Sequence, residues 1–343
     1  MGNPLTDWRV DRAAITFTGK DLQRPECVLA EPSGDLWAAD LRGGVVHIDP
    51  DGAERVIRPK GGGGPFAPEA PNIDGNQGFS MPNGLCFDAR GDIVIANFGA
   101  NVLEKITREG DYTLLLSEID GQPLGKCNFP AIDSRGRLWF SVTASVEGWR
   151  NRLKSVESDG YIVLVDDQGP RIVARDFQGT NEIRFDEAEE WLYVAETGGD
   201  HMTRLRVQPD GSLTDRQVYG PAKLGGGPDG FAFDAWGNLW TTLIIANRLV
   251  VLTPEGDLLT VWEDGDPDAK RRLAQAQARG EASSDLMTVA AGMLAPRMAS
   301  ITFGGPDLRT VYVGSLLGRT LPTFRSPVPG RALPHWRAAE AAR

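Results

Sequence analysis

Six residues of this chain hold equivalent places in a repeated pattern, and five of them carry side-chain oxygen: Glu26, Asn83, Asn128, Asn181 and Asp229, with Ala299 in the sixth place. Carboxylates and amide carbonyls together make an all-oxygen donor set, which suits one hard divalent cation and is poorly matched to metals that prefer nitrogen or sulfur. Ca²⁺ leads that expectation, Mg²⁺ and Mn²⁺ follow, and Zn²⁺ is the least suited. Asn and Asp also start turns on their own account, as Pro82-Asn83-Gly84 and Pro228-Asp229-Gly230 would in any loop-rich β protein. Turn chemistry gives no reason for Glu26, or for Asn128 ahead of Phe129 and Pro130, to share the same place; a common cation does.

The elements that must position these residues are visible as a repeat. Each of the six opens a short apolar strand that runs to an acidic or small turn residue, namely Glu31, Asp88, Asp133, Asp186, Asp234 or Gly304. In four of the turns Gly34, Gly91, Gly136 or Gly237 then supplies the reversal into a second strand. A further pair of apolar strands follows, as in Gly44 to Asp49 with Arg55 to Ile57, so each unit reads as four antiparallel strands. Successive units start 45 to 70 residues apart, close to the spacing of propeller blades. The fold class expected is therefore all-β, a six-bladed β-propeller over residues 1–325 with a C-terminal tail at 326–343. The innermost strand of each blade lines the axis, so the six starting residues converge there. The last unit is one strand short, and the run from Arg12 to Thr18 is the strand expected to close the ring and remove an open edge. Two stretches break the rhythm: a glycine-rich loop at 61–78, and 266–293 between the fifth and sixth blades, where 270–279 suits a helix. Both are expected to flank the mouth of the site. The glycine run is no phosphate loop, because Pro65 and Phe66 stand where Lys and Ser or Thr are needed.

Composition narrows the partners. A net charge of −11 over 343 residues argues against nucleic acid, whose affinity comes from clustered Lys and Arg. No membrane partner is expected, since the first twenty residues hold no apolar run fit for a signal peptide or a span. A cytoplasmic location, a small-molecule substrate and a monomer or small homo-oligomer are the expectations. Cys27, Cys86 and Cys127 have neither zinc-site nor disulfide spacing and read as buried thiols. His47, His201 and His335 are too scattered for a triad.

With these residues in place, the chain resembles the SMP-30/gluconolactonase/LRE-like family, which is similar in turn to calcium-dependent phosphotriesterase propellers of the diisopropyl-fluorophosphatase type. The resemblance spans roughly residues 24–315. It is carried by Gly227-Pro-Asp-Gly-Phe-Ala-Phe-Asp234, Lys126-Cys-Asn-Phe-Pro-Ala-Ile-Asp133 and Phe303-Gly-Gly-Pro-Asp-Leu-Arg-Thr-Val-Tyr312, in that family's order along the chain. It implies a metal held by Glu26, Asn128, Asn181 and Asp229, and hydrolysis of a lactone or related small ester with Asp229 as both ligand and general base. Glu196, at the end of a strand in fourth-blade register where Asp40 and Asn97 stand in the first two blades, is the alternative base. Lys126 and Asn83 are candidates to orient substrate, with Asn97 and Thr143 behind them and Trp149 as a wall. Trp37, Trp139 and Trp240 share one repeat position and read as core between blades. The sequence departs from the family at Glu182 after Asn181, at Cys27 and Val28 after Glu26, and at Lys126 in place of an Arg, which leaves the substrate open. Two other functions remain: the same metal acting on an organophosphate or another carbonyl substrate, and a non-catalytic propeller that binds protein.

Overall fold

Apolar strands joined by acidic turns fold into hairpins here because each turn carboxylate satisfies the backbone it reverses. Asp234 Oδ1 accepts the N–H groups of Trp236 and Asn238, both at 2.9 Å, and Asp133 Oδ1 those of Arg135 and Arg137 at 3.0 and 2.9 Å. The other oxygen of each carboxylate accepts the indole N–H of the second strand, Trp240 at 2.8 Å and Trp139 at 2.9 Å; Glu31 does the same for Trp37 at 2.7 Å. The three tryptophans are buried between blades, as expected, and their one polar atom is satisfied within the repeat.

The computed structural model describes residues 2–60, 80–151, 158–281, 283, 286 and 291–341. Their strands form six antiparallel four-stranded blades. The inner strands are Val28–Ala30, Pro82–Phe87, Cys127–Ile132, Thr180–Phe185, Pro228–Phe233 and Met298–Gly304. Blade 6 takes its outermost strand, Thr16–Thr18, from the N-terminus, paired antiparallel with Leu321–Arg325 so that Thr16 faces Thr323. The ring is thus closed by the N-terminal strand. Only the last part of the expected run is strand: Arg12–Ala14 is a helical turn capped by Asp11, whose carboxylate accepts the Ala13 N–H at 2.9 Å. The helix expected between blades 5 and 6 spans Pro267–Ala278, on the side of the ring where the inner strands begin. The glycine-rich stretch lies outside the described residues. Cys27 and Cys127 are buried, whereas Cys86 is half-buried at the edge of the cluster that joins Val94 and Leu103 to Phe140. Among the described residues no helix is long and apolar enough to cross a membrane.

One irregularity recurs where it matters. Five inner strands carry a β-bulge at the repeat's first position: between Pro82 and Leu85, Cys127 and Phe129, Thr180 and Ile183, Pro228 and Phe231, and Met298 and Ser300. A bulge turns one residue out of the alternation and re-aims its side chain. Here the re-aimed residues are Asn83, Asn128, Asn181, Asp229 and Ala299.

The opposite mouth of the axis is stopped by the chain's end. The indole N–H of Trp336 donates to Ala30 O at 2.7 Å, the Arg331 N–H to Phe233 O at 2.9 Å, and the Arg331 guanidinium to Phe185 O. All three acceptors end inner strands, so this C-terminal segment packs across the end of the axis away from the bulges.

Candidate metal and substrate site

Close approach of the blades sets the scale of the site. A Cβ on Gly230 would lie 2.6 Å from Ala299 O and 2.7 Å from the Cα of Ser300, so blades 5 and 6 meet backbone to backbone. Around this contact Glu26, Asn83, Asn128 and Asp229 are buried, and Asn181 is half-buried.

Each amide is tethered at one end. The Asn128 Nδ2 group donates to Thr143 Oγ1 at 3.0 Å, and that of Asn181 to Thr197 Oγ1 at 3.1 Å. Thr197 Oγ1 in turn donates to Pro228 O at 2.7 Å, which ties blade 4 to the strand that carries Asp229. Asn83 accepts at Oδ1 from the Arg24 guanidinium at 2.8 Å and donates to Asn128 O at 3.3 Å. Two buried oxygens in this ring, Glu26 Oε2 and Asn128 Oδ1, have no hydrogen-bond partner among the described residues. A buried acceptor left unpaired costs about 1–3 kcal/mol.

The charges are under the same strain. Burial pushes the Glu26 carboxyl up to about 7, against the pull of the Arg24 guanidinium and the Asn83 amide. Asp229 is held well above the usual carboxylate range, first by burial, then by Glu26 and Glu182, with Arg24 and Asn181 opposing. Glu182, where blades 2 and 5 have Gly84 and Gly230, is buried and raised to about 8, chiefly by desolvation; Arg184 pairs with it. A divalent cation fits this donor set: it would satisfy both unpaired oxygens and the crowded carboxylates together. Among the described residues no three His, Cys, Asp or Glu side chains gather into a metal-binding cluster, so the set depends on its amide oxygens.

The remaining expected residues divide. Lys126 is buried beside the ring, its Nζ donating to Phe98 O at 3.3 Å and lying 5.5 Å from the Phe98 ring centre. Trp149, on the helix Val146–Asn151, packs edge-on against Phe98 at 4.8 Å, so Lys126, Phe98, Trp149 and Thr143 line one flank of the mouth. Asn97 and Glu196 are turned elsewhere. Asn97 Oδ1 accepts from the N–H groups of Met81 and Ala100 at 2.8 and 3.0 Å, while its amide nitrogen donates to Ser80 and Glu104. Glu196 Oε2 accepts the Gln178 N–H at 2.8 Å, and Oε1 receives Thr203, His201 and Arg216. Burial opposes the charge on Glu196, but these bonds overcome it and hold the carboxyl down to about 2. Asp40 accepts the Gln23 N–H at 3.0 Å in the same manner. Three blades therefore use this position to clamp the loop that enters the inner strand.

Three participants lie outside the sequence expectation. Thr197 was signalled by spacing, standing 16 residues after Asn181 as Thr143 stands 15 after Asn128. Glu182 was visible only as a departure from the repeat. Arg24 had no signal: it reaches the site through a backbone conformation with φ 56°, which an Arg before proline does not forecast.

An axial ring of oxygens on bulged inner strands, in a closed six-bladed propeller, defines the class of protein. The chain belongs to the SMP-30/gluconolactonase/LRE-like family, whose model matches residues 69–267. It is 26% identical over 317 residues, 84% of this chain and 86% of the relative, to a 6-deoxy-6-sulfogluconolactonase of Pseudomonas putida. Among solved structures it is similar in fold to a gluconolactonase of Xanthomonas campestris, at TM-score 0.64 and 19% identity over 92% of this chain and 89% of that one. Regucalcin of Agrobacterium tumefaciens, described as calcium-binding, aligns at TM-score 0.64 and 17% identity over 94% and 98%.

Proposed function

We propose that this chain is a metal-dependent hydrolase that opens a lactone, with Glu26, Asn128, Asn181 and Asp229 holding one divalent cation, Ca²⁺ first. Bound there, the cation supplies Lewis-acid polarisation of the substrate carbonyl and charge to offset the oxyanion. The chain's residues do the rest. Asp229 accepts a proton as water adds its oxygen to the carbonyl carbon. The ring C–O bond then breaks with its electron pair on the departing oxygen, which takes the proton back, so the product is a hydroxy acid. Asn83 and Lys126 orient the substrate, Thr143 holds the Asn128 amide with its carbonyl oxygen inward, and Trp149 with Phe98 keeps bulk water from one side. The geometry favours Asp229 over Glu196 as base, because both oxygens of the Glu196 carboxylate are engaged, Oε2 by the Gln178 N–H and Oε1 by Thr203, His201 and Arg216.

The observation that carries this reading is the pair of buried oxygens without a partner among the described residues, Glu26 Oε2 and Asn128 Oδ1, beside Asp229 at the bulged ends of the inner strands. The relative named for a sulfonated gluconolactone supports including anion-bearing sugar lactones among the substrates tried. A panel of sugar and aliphatic lactones, with a phosphotriester as the competing chemistry, should give turnover that chelation abolishes and Ca²⁺ restores. Undiminished turnover in chelator rejects the metal role. Hydrolysis of the phosphotriester alone moves the reading to the organophosphate alternative, and no turnover with any substrate moves it to the protein-binding one.

A further inference from the structure

We infer that Arg24 is the specificity-determining residue of this site: its guanidinium receives an anionic group carried by the substrate, a carboxylate, sulfonate or phosphate. The inference deepens the lactonase reading and rests on it for the word substrate.

Four observations converge. The first is backbone strain. Arg24 sits in the left-handed region at φ 56° although it precedes Pro25, and a tight turn follows in which the Glu26 N–H donates to Arg24 O at 2.7 Å. Non-glycine residues in that region cost roughly 1–3 kcal/mol and concentrate where a side chain must be aimed. Blade 6 fixes the turn, since the Ser315 N–H donates to Pro25 O at 2.9 Å and any Cβ on Gly314 would strike Pro25 O at 2.6 Å.

The second is anchoring. The guanidinium gives one hydrogen to Pro82 O at 3.1 Å and one to Asn83 Oδ1 at 2.8 Å, which holds its plane against the axial ring. Arg has five donors in a rigid fork, so donors remain for a ligand in a fixed direction.

The third is the absence of a mate. Arg24 is attracted by both Glu26 and Asp229, yet among the described residues no carboxylate oxygen comes within 4.0 Å of it. A buried or half-buried Arg ordinarily takes a bidentate carboxylate partner. Among the described residues that partner is missing.

The fourth is charge balance. Three carboxylates, Glu26, Glu182 and Asp229, face two guanidiniums, Arg24 and Arg184, at the axis. With all five groups charged, a divalent cation turns one net negative charge into one net positive charge, before Lys126 beside the ring is counted, and it occupies the carboxylates that offset Arg24. The loaded site therefore attracts an anion, and Arg24, with Lys126 on the neighbouring flank, is a cation placed to contact it.

The test compares glucono-1,5-lactone with its 6-deoxy-6-sulfo derivative on the calcium-loaded protein, in wild type, Arg24→Lys, Arg24→Gln and Arg24→Met. Wild type should prefer the sulfonated lactone, and Arg24→Met or Arg24→Gln should lower the ratio of the two kcat/KM values by roughly 10- to 100-fold, the range of one charge-assisted hydrogen-bonded contact. Arg24→Lys should lie between. Calorimetric titration with 6-deoxy-6-sulfogluconate should show binding that weakens in the same order, while the calcium affinity without any anion tightens in Arg24→Met. A wild-type ratio near one, or variants that lose both substrates in equal proportion, would make Arg24 a clamp between blades 1 and 2 and overturn the assignment. If wild type opens neither lactone but the sulfonate titration still depends on Arg24, the hydrolase reading fails and the anion site stands. The Gln and Lys variants keep the question decidable should Arg24→Met fail to fold.

Discussion

Replacing Glu26 by glutamine separates a cation site from an ordinary buried polar cluster, because the two readings predict opposite signs. Glutamine keeps the volume and removes one of three buried carboxylates that share the axis with two guanidiniums. It also removes the charge on Oε2, an oxygen that no donor reaches. Removing an uncompensated buried charge at constant shape is worth about 1–3 kcal/mol. Unfolding entropy near 2.1 cal/mol/K per residue gives a chain of this length about 1.4 °C per kcal/mol, so the ion-free variant should melt about 1–4 °C above ion-free wild type. Calcium at a hundred times its Kd adds about 2.7 kcal/mol to wild type, or about 4 °C, and should add nothing to the variant. Scanning calorimetry of chelated protein, before and after calcium is titrated back, reads both terms. A variant that melts lower than wild type in chelator, or that keeps the calcium shift, would refute the reasoning.

Three other perturbations test the surrounding architecture. Thr143→Val removes the acceptor that orients the Asn128 amide, and calorimetry should find calcium affinity down by about 10-fold with the melting temperature little changed. Glu196→Gln should cost about 2 kcal/mol of stability at pH 7 in urea titration while catalysis per folded molecule persists; loss of kcat instead would restore Glu196 as the base. Its pH dependence has a definite sign. A carboxyl lowered from about 4.5 to about 2 stabilises the fold fully above the higher value and loses that contribution as pH falls through the lower one, so wild type should lose its advantage over the variant between pH 4.5 and 2. The partner His201 is raised by its bond to Glu196, so its share fades instead as pH rises through its folded value. Gly230→Ala places a methyl group 2.6 Å from Ala299 O, and circular dichroism should show a ring destabilised by 3 kcal/mol or more in order of magnitude, or no soluble protein.

How far the sequence could be read follows from what each feature depends on. Strand, acidic turn, glycine and second strand are local, and hydrogen bonds such as those of Asp133 and Asp234 close within a few residues, so the blade was legible in one copy and certain in six. The repeat phase likewise located Glu26, Asn83, Asn128, Asn181 and Asp229, since equivalent positions on inner strands must share an axis. Asn97 and Glu196 show where the same logic misleads. They hold a repeated position too, with Asp40, but the side chains at that position bond the entering loops. Phase specifies a place in the blade; it does not specify the direction in which the side chain leaves it.

Tertiary structure alone decided the rest. The bulges that aim five residues at the axis appear only when each inner strand is registered against its neighbour, and the cover over the far end only when Arg331 and Trp336 meet strand ends 146 and 306 residues away in sequence. Arg24 is the sharpest case: its backbone geometry is imposed by blade 6 through Pro25, and its side chain is held by blade 2 through Asn83. A one-dimensional pattern encodes periodicity and local pairing, whereas charge balance and unmet hydrogen bonds are sums over every group the fold brings within a few ångströms.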